Sequence, residues 1–304
     1  EWLAYHYLML PLGHVVIGVD GTSQQDPHYV TDRYNDTDVG FSVWKLPAKT
    51  FISTENATRE KYHHDLILQQ KRFISKCTLH LQSLGYGWTS LVDPDEFVTL
   101  NYIEEDESSL HERLGQPDQG LELRKDLRRD RFQTVLGLIQ EWDRKNMLAR
   151  PACVTLPRLL MGALENVTCA GVVPLSTAET RHFNTLRFVQ HAPKGDFSYN
   201  KFGKVLVDLS KFSQASLDTQ AIRNIHRPNK DLCAPAFQHF LSAPLVLQHY
   251  IGSWERYSQR SDGRRSRAEW EQRAFLNAGA NCRMREWLRF FARTTGWRKR
   301  LGLM

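Results

Sequence analysis

The chain has 304 residues, 41% hydrophobic and 24% charged, with 40 Lys/Arg against 34 Asp/Glu for a net charge of +6. This composition excludes wholesale disorder, and the length admits one large α/β domain or two ordinary ones. No run nears the ~20 apolar residues of a membrane-spanning helix, no fixed-period repeat marks a solenoid or coiled coil, and five cysteines are too few for a small disulfide scaffold.

Trp2 to Leu12 reads as a short helix stopped by Pro11 and Gly13. Residues 14–20 (HVVIGVD) form an apolar, β-branched run of the kind expected for a strand buried on both faces. It ends in a turn at Asp20-Gly21-Thr22-Ser23, and Gly40 to Leu46 is a second strand. Across 59–84, Leu66, Ile67, Phe73, Ile74, Cys77, Leu81 and Leu84 approximate one apolar helical stripe, closed by Gly85 and Gly87. Trp88 to Val92 (WTSLV) reads as another buried strand and runs into Asp93-Pro94-Asp95-Glu96. Residues 101–130 are polar and charged, a loop or insertion, and Phe132, Val135, Leu136, Ile139 and Trp142 then space as an amphipathic helix. ACVTLPRLL at 152–160 is a further strand entering a turn, and 204–209 (KVLVDL) and 244–250 (PLVLQHY) give two more. Strands alternating with helices predict an α/β layer fold with a mostly parallel sheet flanked by helices.

The charge is unevenly placed. Glu255 to Met304 carry 13 Lys/Arg against 5 Asp/Glu, a net +8, so residues 1–254 carry −2. Trp287, Phe290, Phe291 and Trp297 recur there at roughly helical spacing among Arg283, Arg285, Arg289 and Arg293. Residues 258–304 therefore read as a basic, aromatic helical extension, docked by its aromatic stripe with arginines in solvent. Contact with a membrane surface or acidic glycans is the next reading of this tail, and nucleic acid is not expected, since no stacking-platform motif accompanies the charge. Sequons at Asn35, Asn56 and Asn166 would accept N-glycans in a secretory protein. Cys77, Cys153, Cys169, Cys233 and Cys282 leave at least one unpaired within the chain, and no grouping has zinc spacing. No signal peptide is visible, and the opening Glu1-Trp2 reads as the start of a fragment whose natural N-terminus lies upstream.

Two strands end in acid, at Asp20 and at Asp93, and in open parallel sheets ligands sit beyond the carboxyl ends of the strands. Pro94 fixes its own φ and holds Asp93 extended, so Asp93 and Asp95 sit on a rigid turn. Uncompensated, the two carboxylates would repel and one would take up a proton; a divalent cation resolves that conflict. Mg²⁺ or Mn²⁺ favours one or two carboxylates plus substrate phosphate oxygens, which implies a metal–diphosphate ligand. No Gly-rich phosphate loop is present, so neither a Walker ATPase nor a dinucleotide-binding domain fits. The plainer alternative is a solvated acidic turn.

WTSLVDPDEF resembles the "W-x-x-x-hydrophobic-D-x-D-E-F" segment of GT-A glycosyltransferases, in particular the family 92 and family 2-like group. EWLAYHYLMLPLGHVVIGVDGTS is similar to that group's opening helix and strand, QQKRFISKC to the helix before the DxD strand, and PLVLQHYIGSWERY to its closing segment, with IRNIHRPN as a histidine-bearing piece upstream. The resemblance spans residues 1–257 and implies a Rossmann-like GT-A catalytic domain. It implies a metal-dependent glycosyltransferase that uses Mn²⁺ or Mg²⁺ and a nucleotide-sugar donor, a UDP-sugar ahead of a GDP-sugar. The implied acceptor is a hydroxyl on a glycan or glycoprotein. The setting it implies is the secretory pathway or Golgi lumen, with any membrane anchor upstream. By the same resemblance Asp95 coordinates the metal, Asp93 contacts metal or ribose, Asp20 contacts the nucleoside with Ser23 in its turn, and His249 is the third protein ligand, with His226 behind it. Glu96 and Glu165 are the candidate bases for deprotonating the acceptor. Members open with a strand before the "E-W" helix, expected here upstream of Glu1; 104–130 reads as an insertion and the tail has no counterpart. Two other classes remain open: a metal-dependent phosphodiesterase or nucleotidyltransferase using Asp93 and Asp95, and a non-catalytic glycan-binding protein on a transferase scaffold.

Overall fold

In a computed structural model these runs fold into a mixed α/β architecture. The residues described are 1–10, 12–19, 25–46, 59–101, 152–164, 183–194, 197–200, 203–218, 245–259 and 266–282, with isolated positions outside these spans. Asp20, Glu165, the stretch 102–130, the amphipathic segment at 132–142 and most of the basic tail lie outside them.

Helix α1 (Trp2–Met9) leads into β1 (His14–Val19), which pairs in parallel with β2 (Gly40–Lys45). The short α2 (His28–Thr31) lies on the crossover between them. The expected long helix is α3 (Arg59–Ser83), with Ile74, Cys77 and Leu81 buried. Its end is a Schellman motif: Tyr86 N–H reaches the Leu81 carbonyl, Gly85 N–H reaches Gln82, and Gly85 takes φ of 83°. The chain continues through β3 (Trp88–Ser90), β4 (Glu96–Leu100), β5 (Cys153–Leu156), β6 (Arg158–Met161), α4 (Asn184–Arg187) and β7 (Gln190–His191). It ends with β8 (Lys204–Asp208), α5 (Gln214–Leu217), β9 (Leu245–Tyr250), α6 (Trp254–Tyr257), α7 (Arg267–Ala274) and β10 (Gly279–Ala280).

The expectation of a mostly parallel sheet is corrected. The described strands form three sheets, β1-β2, β3-β8-β5 and β10-β7-β6-β9-β4, and only β1–β2 and β6–β9 pair in parallel. The reason lies in the connections. A parallel neighbour needs a crossover of a dozen or more residues, whereas β3 and β4 are joined by 91–95 and β5 and β6 by Pro157 alone. Proline has no N–H for a ladder, so 152–160 is two strands and not one. Each short joint carries the chain out of the three-stranded sheet and into the five-stranded one. A second correction concerns β1, which is half-buried and not enclosed on both faces.

β4 is buried along its whole length. Phe97 faces Tyr5, Leu160 and Tyr250, while Val98 and Leu100 face Val154, Leu206 and Leu247, the two-sided pattern of an interior strand. It nevertheless stands at the edge of its sheet, and α1 covers that edge. Trp2 Nε1 donates to the Glu96 carbonyl (2.8 Å), Tyr5 Oη to the Val98 carbonyl (2.9 Å), and Val98 N–H to His6 Nε2 (3.2 Å). Cys153 and Cys233 are disulfide-bonded with Cα atoms 4.9 Å apart, Cys282 is also in a disulfide, and Cys77 is a free buried thiol pushed up to about 12 by burial.

Candidate functional site

The two joints bring their flanking residues to one corner. The joint after β3 carries Asp93 and Asp95 and runs into Glu96, the first residue of β4; Arg158 opens β6 immediately after Pro157. Register sets the rest. Glu96 pairs with His249 across β4–β9, His249 pairs with Leu160 across β9–β6, and Lys204 pairs with Leu156 across β8–β5. Gly203 is required just before Lys204, because a Cβ there would run into the Leu156 carbonyl.

The acidic turn is locked from within. Glu96 N–H donates to the Asp93 carbonyl (3.0 Å), and Asp93 N–H donates to Glu96 Oε2 (2.9 Å). Glu96 is 1% exposed. Its carboxylate, the candidate base, is thus enclosed and holds the turn. Asp95 and His249, both expected metal ligands, meet at 3.4 Å between Oδ2 and Nε2, and the Asp95 carbonyl also accepts the Tyr250 N–H. His226 donates from Nδ1 to the Gly203 carbonyl at 2.9 Å. Burial, then the charge of Lys204, hold its pKa at about 4, so it is neutral near pH 7. Ser23 is an exposed turn hydroxyl bonded to the Gln25 carbonyl. Asp20 and Glu165 lie outside the described residues.

Two cations at this corner were not anticipated. Lys204 Nζ lies 3.1 Å from Asp93 Oδ2 and 3.5 Å from Glu96 Oε2. Burial opposes its charge, but Asp93 and Glu96 outweigh burial and raise its pKa above the ordinary amine value. Glu96 is raised, first by burial and against the pull of Lys204. Arg158 Nη1 lies 3.5 Å from His249 Nδ1. Burial lowers its pKa, and Glu96 counters that. Since Arg158 only donates, Nδ1 of His249 is the acceptor in that contact. The carboxylates thus have counter-charges within the protein, in Lys204 and Arg158, where the sequence argument called on a divalent cation.

A cavity of about 450 Å³ opens beside the corner. Trp2, Val16, Phe73, Leu81 and Trp88 line its apolar part, with Asp93 and Lys204 among its polar lining residues. This volume lies in the range of small-molecule pockets. Among the described residues no trio of His, Cys, Asp or Glu is gathered as a metal site. Of the three expected ligands, Asp95 and His249 meet each other while Asp93 is paired with Lys204; carboxylate and imidazole are donor types that a divalent cation takes. No protein family, curated protein or solved structure matches the chain.

Proposed function

We propose that this chain is a metal-dependent glycosyltransferase of the GT-A type, moving a sugar from a nucleotide-diphosphate donor, a UDP-sugar by preference, to a glycan or glycoprotein hydroxyl. The observation that carries the reading is the meeting of Asp95 with His249, residues from separate elements, at 3.4 Å, two residues along the chain from Asp93, which lines a cavity of about 450 Å³. Asp95, Asp93 and His249 would hold Mn²⁺ or Mg²⁺, which supplies charge stabilisation for the leaving diphosphate. Glu96 keeps the Asp93-Pro94-Asp95 turn in shape, and Lys204 and Arg158 add positive charge where the leaving group gains negative charge. A disulfide in the core agrees with an oxidising, secretory compartment. No described helix is long and apolar enough to cross a membrane.

Asp95→Ala tests this reading. Donor turnover with Mn²⁺ should fall at least about a hundredfold, and stabilisation by UDP or GDP should become metal-independent or vanish in a thermal-shift assay. Near-normal sugar transfer by Asp95→Ala in the presence of a chelator would sink the assignment. Steeply salt-dependent capture of nucleic acid would favour a phosphodiesterase instead.

A further inference from the structure

We propose that Asn35 carries an N-linked glycan, attached through its Nδ2 as the chain enters an oxidising lumen; this needs the secretory compartment proposed above but none of the transfer chemistry.

Asn35-Asp36-Thr37 is an acceptor sequence whose middle residue is not proline. Such triplets also arise by accident, and position in the fold decides which of them can bear a bulky, solvated group. Asn56 and Asn166 lie outside the described residues, whereas Asn35 sits in a turn whose two faces are well defined. The inner face is pinned. Thr31 and Val39 are buried, and the Tyr34 ring packs against Tyr7 and Phe41, with centroids 5.7 and 6.1 Å away. The outer face is Asp32, Arg33, Asn35, Asp36 and Asp38, all exposed. Asn35 closes the short 3-10 turn Asp32–Tyr34, with its N–H on the Asp32 carbonyl at 3.3 Å, so its backbone is held while its side chain has room. Just before it on α2, Tyr29 is 74% and Val30 46% exposed, apolar surface beside which a solubilising group is of use. The disulfides supply the compartment. Cys153–Cys233 is enclosed in the core and Cys282 is also bridged; such bonds form and persist in an oxidising lumen and not in a reducing cytosol.

Thr37 sets the order of events. Its hydroxyl donates to the Tyr34 carbonyl at 2.6 Å and accepts the Val39 N–H at 3.4 Å. The hydroxyl that the acceptor sequence requires is thus engaged in the folded turn, so attachment precedes closure of the turn. The donor class is a lipid-diphosphate oligosaccharide. Nδ2 of Asn35 forms a bond to the anomeric carbon and gives up one proton to solvent. The bond from that carbon to the diphosphate oxygen breaks, and the lipid diphosphate leaves with the electron pair.

The experiment is expression of the full chain behind a cleavable secretory leader in a eukaryotic cell. Secreted and retained chains are both collected, because attachment on entry marks a chain whether or not it later leaves the cell. Each pool is mapped by peptide mass before and after peptide N-glycosidase, which converts a glycosylated asparagine to aspartate. Position 35 should read as aspartate after the enzyme and as a glycopeptide before it. Asn35→Gln should lose the mass of one glycan, and its thermal melt should match that of enzyme-treated wild type, since the exposed amide holds no part of the core. Asn35 left unconverted in both pools overturns the proposal, whatever is found at Asn56 and Asn166. Conversion at Asn35 in a chain that transfers no sugar leaves the glycan standing and overturns only the transferase reading.

Discussion

Lowering the pH from 7.5 to 5.0 should strip stability from this fold through one residue, His6. It is fully enclosed on α1, with Nδ1 2.9 Å from the Trp2 carbonyl and Nε2 accepting the Val98 N–H at 3.2 Å. Only a neutral ring with its proton on Nδ1 satisfies both partners. Burial holds its pKa at about 3, against about 6.5 in an unfolded chain. The unfolded chain therefore takes up a proton that the folded chain refuses. The stability tied to the neutral ring is whole above about pH 6.5 and is lost as pH falls through the window from 6.5 to 3. At pH 5.0 the loss is about 2 kcal/mol, rising toward about 5 kcal/mol near pH 3, a large share of a typical domain's stability. The assay is urea unfolding of wild type and His6→Gln at both pH values. His14, His191 and His226, all lowered chiefly by burial, push the same way in both proteins and cancel in the comparison. Wild type should lose about 2 kcal/mol more than the variant between pH 7.5 and 5.0. Equal losses would refute the reasoning that a neutral His6 seals the edge of β4.

Two further outcomes follow from the same frame. The Cys153–Cys233 bridge spans 80 residues of sequence, and replacing both cysteines by Ala should cost about 4–5 kcal/mol on the loop-entropy relation; a thermal melt unchanged from wild type would sink that. Trp2→Phe removes the indole donor from the Glu96 carbonyl, so it should cost about 1–3 kcal/mol and loosen the acidic turn, read as faster amide exchange at Glu96 and Phe97; unchanged exchange would show that α1 does not hold the turn.

The sequence made the elements legible where a period or a stop signal was strong. The apolar stripe of 59–84 and the glycine behind it define α3 to its last turn, and 204–209 and 244–250 are the strands β8 and β9. Pairing was less legible. WTSLV reads as a single strand running into an acidic turn, yet 91–95 carry the chain from one sheet into a strand of another. A single proline does the same between Leu156 and Arg158. Apolar runs report burial, and they carry no signal for which neighbour they will meet.

The same limit explains why Asp93, Asp95 and His249 stood out in the sequence and Lys204 and Arg158 did not. An acidic pair around a proline is a local pattern. The cation that answers it is 111 residues away, at the first position of an apolar strand, where a lysine reads as a strand boundary. Arg158 is 91 residues from His249 and reads as a turn residue after Pro157. Only the register of β4 and of β6 against β9 and of β5 against β8 joins them. That register also changes the electrostatic argument. Two naked carboxylates would attract any cation; a corner already near neutrality attracts neither a bare cation nor a bare anion strongly. What suits it is a ligand that brings both signs at once. A metal-bound diphosphate, the donor proposed above, is a ligand of that kind.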